Sequence, residues 1–454
     1  MSDIFVDHIR DAGRILQQPF DSDPDILSRD DMITATHRAW KALHLKTLEE
    51  ITVIDTIEER HRQRPIDGRF VEYLSHIRRG WRKINDGLVW ELCGEHRHLV
   101  KRLCFYRDRG HLSSANPDDA LRALETFNSE PMTIALWTDA TSCVDVGDVM
   151  RYDAKAHQLC FIELKSGDVN TAILEMVSAT ASGAAFTELD AFAQRYGKAG
   201  VAQLERILRQ KERNAQAISL IRDERGFDPY VGLDIEIREL KTPGEDYDEE
   251  LRWVIEDARE RGSSLTVVDG CLWIYVDATP RLTLDEIQQR FGDAVTRENP
   301  SLVSRIGQAF HARDAGRAVL FSHSLYHPMA KPPFLRKLEP ETVASVTCGD
   351  LRAGVWLYLD WQMFGQLCES AGATFSWSSE REARRMRAEP MKMRPETVDG
   401  RLPLVTLGPV KTGVTGANMV ELMFDGVRPR TLAARLVESV PILEEIARRS
   451  RATQ

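Results

Sequence analysis

The residues of this chain best placed to do chemistry are Glu163-Leu164-Lys165-Ser166-Gly167, at the end of the apolar run Leu159-Cys160-Phe161-Ile162. In an extended strand, residues two apart share a face. Glu163 and Lys165 then look into a cleft while Ile162 and Leu164 pack into a core. Upstream, Val144-Asp145-Val146-Gly147-Asp148-Val149-Met150 is a second apolar stretch carrying carboxylates. Asp148 precedes Glu163 by 15 residues, and Asp145 precedes it by 18. A hairpin turning at Asp153-Ala154-Lys155-Ala156 brings either acid beside Glu163.

Two carboxylates on adjacent strands suit a divalent cation held over a phosphodiester. Mg²⁺ takes hard oxygen ligands, usually one or two carboxylates together with waters and substrate phosphate. The ion neutralises the non-bridging oxygens and lowers the pKa of an attacking water. A nearby lysine can orient that water and stabilise developing charge. Glu-x-Lys alone is common by chance, and the chain holds a second copy at Glu239-Leu240-Lys241. There the preceding acid, Asp234, is only five residues back, and a Pro243-Gly244 turn follows. A solvated strand end with an incidental ion pair is the plain alternative for both. The first copy differs in its compact apolar run, its acid-bearing strand at hairpin distance, and the glycine after its lysine.

These residues need elements to hold them. The spacing predicts helices over 34–45 and 48–62, and a helical region over 71–106 interrupted near Gly80 and Gly87. Asn116-Pro117-Asp118-Asp119 marks a turn and a helix start. Strands are expected at Thr133 to Trp137, at Val144 to Tyr152 and at Gln158 to Lys165. Helical character returns over 172–196 and 201–222, followed by a strand at 231–237. The breaker pair and acidic run of Thr242 to Glu250 read as a linker. Beyond it, Leu265 to Val276 with Asp269-Gly270 at its centre predicts a hairpin with a type I′ turn. Thr283-Leu284-Asp285-Glu286 is a capping box, Gly354 to Leu359 a strand, and Thr431 to Arg448 an amphipathic helix.

The chain has 454 residues, too many for one ordinary domain of roughly 150. The expected division is a helical region over 1–75, a core over 76–242 and an α+β region over 251–454. Hydrophobic residues make up 43%, enough to exclude global disorder. No apolar run reaches the ~18 residues of a membrane span, and the first residues lack a signal-peptide pattern. Seven cysteines without Cys-x-x-Cys fit a reducing compartment rather than a disulfide framework. The expectation is a soluble, cytoplasmic chain without membrane partners. A net charge of −10 means that any nucleic-acid contact must be local.

Asp148…Glu163-Leu164-Lys165-Ser166-Gly167 resembles the core motif of the PD-(D/E)xK nuclease superfamily. The Lys-Ser-Gly ending is similar to the Lys-Thr-Gly of its RecB-type branch. Where a proline often precedes the first acid, Gly147 stands here. The resemblance covers about residues 80 to 240. It implies an α/β (α+β) fold, with a restriction-endonuclease-like core of a central mixed sheet flanked by helices. It also implies that Asp148, Glu163 and the Leu164 main-chain carbonyl hold Mg²⁺, for which Mn²⁺ can substitute, with Lys165 orienting water. Two further elements follow from it. One is an acid on the preceding helix: Glu95 falls within the stripe Leu88, Leu92, Leu99 and Leu103, with Glu91 near its edge. The other is a helical glutamine, Gln203. The implied partner is nucleic acid, DNA before RNA. A homodimer or a place in a multi-protein system is compatible with this, and a restriction or anti-phage defence role is an analogy of build alone. The competing reading is a nuclease-like fold kept without activity as a binding or regulatory subunit.

Basic clusters at Arg78-Arg79-Gly80-Trp81-Arg82-Lys83, at His96 to Arg102 and at Arg381 to Arg394 could contact phosphates or be solvated faces. His323 and His327 are four apart but lie in a context that does not read as helical, with no third ligand in view. Gly408-Pro409-Val410-Lys411-Thr412-Gly413 lacks the spacing of a phosphate loop.

Overall fold

The long helix α1 (Arg29–His61) forms because Ala35, Ala39, Leu43, Thr47, Ile51 and Asp55 recur every four residues and are all buried. It opens the computed structural model. Residues 12, 14–15, 28–61, 68–104, 112, 117–164, 169–170, 172–173, 185–228, 233–237, 240–279, 284–302, 318–320, 327, 329–336, 338, 342–343, 354–388 and 400–452 are described. They fall into two compact units, one within Gly13–Ile237 and the other from Arg238 onward, with Ala12. The chain is a mixed α/β protein with several small antiparallel sheets.

In the first unit, α2 (Gly68–Leu92) runs unbroken through Gly80 and Gly87. The expected interruption is absent because residues 80–90 are buried on every side, so packing outweighs glycine's poor helix propensity. A turn over residues 93–95 leads to α3 (Arg97–Leu103), and α4 (Pro117–Asn128) precedes the sheet. Strands β1 (Thr133–Trp137), β2 (Val149–Asp153) and β3 (Gln158–Ile162) form an antiparallel meander in that order. Every residue of β1 is buried. The turn after β2 is held by Asp153, whose carboxylate accepts from Lys155 N at 3.0 Å and Ala156 N at 2.9 Å. Helix α5 (Ala185–Asp223) contains a kink at Gly197, where φ is 63°. A hairpin of β4 (Arg225–Asp228) and β5 (Leu233–Glu236) follows.

Three expectations change here. The described strands pair only antiparallel, so the central mixed sheet is not what these residues form. The meander is built from neighbours joined by short turns, which leaves no parallel pairing. The strand expected over Val144 to Tyr152 begins only at Val149, since the N–H groups of residues 142–144 go to side chains and that of Asp145 to Leu103 O rather than to a ladder. The helices before residue 75 are not set apart from the core: α1 packs against both α2 and β1.

In the second unit, α6 (Asp248–Arg261) leads into β6 (Ser263–Val268) and β7 (Leu272–Asp277). Asp269 and Gly270 between them have φ of 50° and 70°, and Cys271 N donates to Val268 O at 3.1 Å. That is the type I′ turn that Asp-Gly favours. Helix α7 (Leu284–Glu298) follows, then β8 (Ala318–Leu320) and β9 (Gly354–Leu359), completing a four-stranded sheet of order β6-β7-β9-β8. Helix α8 (Trp361–Ser370), β10 (Thr374–Trp377) and α9 (Glu380–Ala388) precede β11 (Pro403–Leu407) and β12 (Val410–Gly413). β10, β11 and β12 make a three-stranded sheet. Helices α10 (Gly416–Met423) and α11 (Pro429–Ala452) close the chain. Arg336, 5% exposed, donates from Nε to Asp248 at 2.7 Å and from Nη1 to Phe424 O at 3.1 Å, so a buried cation fastens α6 to the end of α10.

Candidate active site

The β2–β3 register sets Val149 opposite Ile162, so the residues just beyond each strand end meet: Asp148 on one side, Glu163 and Leu164 on the other. Asp148 N donates to Ile162 O at 2.8 Å. Its carboxylate then takes the place of a strand partner, accepting Leu164 N at 2.6 Å. This substitution of side chain for backbone is why β3 stops at Ile162 instead of continuing through Leu164. Asp145, the alternative acid, is buried, and its backbone N–H donates to Leu103 O at 2.6 Å.

Gly147 allows the close approach. Its φ is 67°, and a Cβ there would lie 3.1 Å from Ile162 O and 3.2 Å from Phe161 Cβ. A proline, with φ fixed near −65°, could not take this conformation. On the other side, Thr138 accepts the incoming chain: its N–H reaches Asp148 O at 3.0 Å and its hydroxyl donates to Gly147 O at 2.7 Å.

Helix α5 supplies the partners of Glu163. Gln210 Nε2 donates to Glu163 Oε1 at 2.6 Å, and Asn214 Nδ2 donates to the same oxygen at 2.7 Å. These residues are four apart, one turn of helix, and share a face. Asn214 is buried. Gln203, expected to fill this role, instead donates to Asn170 Oδ1 at 3.1 Å, two turns earlier on the helix. Gln210 and Asn214 were not singled out by sequence. Their signal is two amides set among the buried residues Leu204, Ile207, Ala217 and Leu220 of one helix.

Glu95 is not on a helical stripe. α2 ends at Leu92, and Glu95 sits exposed in the following turn with φ of 56°. The helical projection that placed it among leucines fails because Gly94, with φ of 59°, breaks the helix. Glu91 is exposed in the last turn of α2. Among the described residues no three His, Cys, Asp or Glu side chains converge as metal ligands, so neither Glu95 nor Glu91 joins Asp148 and Glu163. Lys165 lies outside the described residues, as does His323.

The chain matches no family model, no curated protein and no solved structure.

A buried polar network holds the loop that delivers Asp148. Asp86 on α2 accepts Ser142 N at 2.6 Å and Cys143 N at 3.2 Å, along with the Ser142 hydroxyl. Lys83 Nζ stands 3.1 Å from the same carboxylate, both residues being almost fully buried. Asn85 donates to Ala140 O at 3.0 Å. From α1, His44 accepts Trp137 N on Nε2 at 3.0 Å and meets Asn85 Oδ1 through Nδ1 at 3.1 Å. Those two bonds fix the tautomer with the proton on Nδ1. Burial pushes the His44 imidazole down to about 4, partly opposed by the bond to Asn85.

The basic cluster at Arg78 to Lys83 is therefore not a phosphate-binding surface. Trp81, Arg82 and Lys83 are buried, and Arg78 reaches Asp55 at 3.0 Å and Glu58 at 2.8 Å. In the second cluster, Arg102 is 3.1 Å from buried Asp228, and Arg97 lies 5.5 Å over the Trp90 ring.

Proposed function

We propose that the Gly13–Ile237 unit is a metal-dependent nuclease that hydrolyses phosphodiester bonds of DNA, and of RNA as the second choice. The observation that carries this reading is the placement of Asp148 and Glu163 just beyond the paired ends of β2 and β3, each carboxylate held by a donor. A restriction-endonuclease-like character belongs to the same proposal and rests on a meander followed by the helix that grips Glu163.

The residues present fit Mg²⁺ or Mn²⁺. Two carboxylates and the Leu164 carbonyl are hard oxygen donors, and Mg²⁺ needs no more from a protein than one or two carboxylates. The donor set lacks the nitrogen and sulfur ligands that zinc favours. The ion, when bound, would neutralise phosphate charge and acidify a water. The chain's own residues do the rest. Leu164 N–H fixes the Asp148 carboxylate, and Gln210 and Asn214 fix that of Glu163. Lys165, next to them in sequence, is assigned to orient the attacking water.

The test is cleavage of plasmid and of single- and double-stranded oligonucleotides by the full chain, with Mg²⁺ or Mn²⁺ against chelator. Asp148→Asn, Glu163→Gln and Lys165→Ala should each lower the rate by at least about 100-fold, the usual cost of losing one preorganised charge-stabilising group. Asn214→Leu should lower it less, because Gln210 still holds Glu163. Folded protein that cuts no DNA or RNA with either metal would favour the inactive regulatory reading. Lys165→Ala cutting as fast as the parent would remove the mechanism.

A further inference from the structure

A cleft of about 400 Å³ opens at the turn end of the β2–β3 hairpin, lined by the first turns of α1, the last turn of α2, Tyr152 and the turn after β2. Tyr152 is four residues along from Asp148, about 13 Å at 3.3 Å per residue, so this is not the carboxylate site. Small-molecule sites typically fall between about 300 and 1,000 Å³. The walls are aromatic. The His37 and Trp40 rings stack at 5.8 Å and 28°, and Tyr152 meets His37 edge-on at 6.4 Å. Among the described residues no lysine or arginine lines the cleft, whereas Glu91 does.

His37 is 5% exposed, and its Nδ1 is buried with no hydrogen-bond partner among the described residues. Burial, with the nearby charge of Lys41, pushes its imidazole down to about 4. At neutral pH it therefore carries one N–H donor and one acceptor nitrogen. Buried polar atoms in native proteins are nearly always hydrogen-bonded, and the orphaned Nδ1, which has almost no exposed surface, meets a ligand in the cleft when the ring turns about its Cβ–Cγ bond.

We propose that this cleft binds a nucleobase, stacked on Trp40 and read along its polar edge by His37, Thr36 and Glu91. A flat heteroaromatic ring matches the aromatic walls and brings its own donors and acceptors to His37. A hydrocarbon would leave the imidazole orphaned. With a carboxylate and no lysine or arginine in the described lining, the phosphate of a nucleotide stays outside. A carboxylate accepts from an exocyclic amine, so adenine, cytosine and guanine are favoured over uracil and thymine. The base can come from a free nucleoside or nucleotide, or from a single strand. The inference stands whether or not Asp148 and Glu163 cut phosphodiesters.

The experiment is calorimetric titration of the full chain, in chelator, with adenosine, cytidine, guanosine, uridine and a mixed-sequence single-stranded DNA oligonucleotide. Base–aromatic stacking predicts that Trp40→Ala weakens binding by about fivefold to about 150-fold. Glu91→Gln, an isosteric change at an exposed position, should erase the preference for cytidine over uridine in protein whose circular dichroism matches the parent's. Nucleoside binding that Trp40→Ala weakens supports the proposal with a free ligand as source. Binding of the oligonucleotide alone, with the same dependence on Trp40, supports it with a strand as source. No binding of either, or binding unchanged in both variants, overturns it. Asp148→Asn should bind as the parent does, which separates this outcome from failure of the nuclease reading.

Discussion

His44 ties the stability of the first unit to pH, and the size of the effect follows from its surroundings. The ring is 1% exposed, and both nitrogens are committed, one accepting Trp137 N and the other facing Asn85 Oδ1. Protonating Nε2 would turn that acceptor into a donor facing a backbone N–H. Burial accordingly lowers the pKa from 6.5 in the free side chain to about 4 in the fold. The unfolded chain therefore binds the proton first. Stability is fully present above pH 6.5, declines as pH falls through the interval from 6.5 to about 4, and declines no further below it. At 1.36 kcal/mol per pKa unit, the interval amounts to about 3 kcal/mol. The perturbation is His44→Gln, whose amide can keep one donor and one acceptor but does not titrate. The assay is hydrogen exchange of the segment over 133–143, corrected for intrinsic rates, in parent and variant from pH 7 to pH 4.5. The parent should lose protection relative to the variant by up to about 3 kcal/mol, whereas His37, lowered in the same direction, acts in both and cancels in the difference. A carbon-13 titration that placed the His44 midpoint at 6.5 or above, or equal pH slopes in parent and variant, would refute the reasoning.

Two other outcomes follow from the network behind the site. Lys83→Met should destabilise the chain by about 3–5 kcal/mol in chemical denaturation, because it strands the buried Asp86 carboxylate, while Lys83→Met with Asp86→Leu should recover part of that loss. No recovery in the double variant would mean that the Asp86 bonds to Ser142 and Cys143 matter more than the ion pair. Gly147→Ala should cost about 1–3 kcal/mol, since a Cβ there combines positive φ with contacts at 3.1–3.2 Å to Ile162 and Phe161. Urea unfolding would check this, and a variant as stable as the parent would show that the Asp148 approach is not constrained.

Local patterns in the sequence determined a good part of what the structure contains. The β1 strand, the turn after Asp153 and the Asp269-Gly270 turn were legible because each depends on residues adjacent in sequence: a short apolar run, an Asp side chain bonding its own turn, and a pair suited to positive φ. The placement of Asp148 and Glu163 at one end of the hairpin was legible for the same reason, since a hairpin's register is fixed by its turn.

What only the tertiary structure decided are the contacts between distant segments. Two amides one turn apart among apolar residues are visible in the sequence, but that Gln210 and Asn214 rather than Gln203 reach Glu163 depends on where α5 lies against the sheet. Periodicity also misjudged Glu95, since a helix projection cannot register the break at Gly94. The charged run at Arg82-Lys83 read as a surface and is core. Lys83 and Asp86 tolerate burial only because each meets the other and the 142–143 backbone completes the shell. Turn chemistry is written within a few residues, whereas burial and partnership are set by which segments the fold brings together.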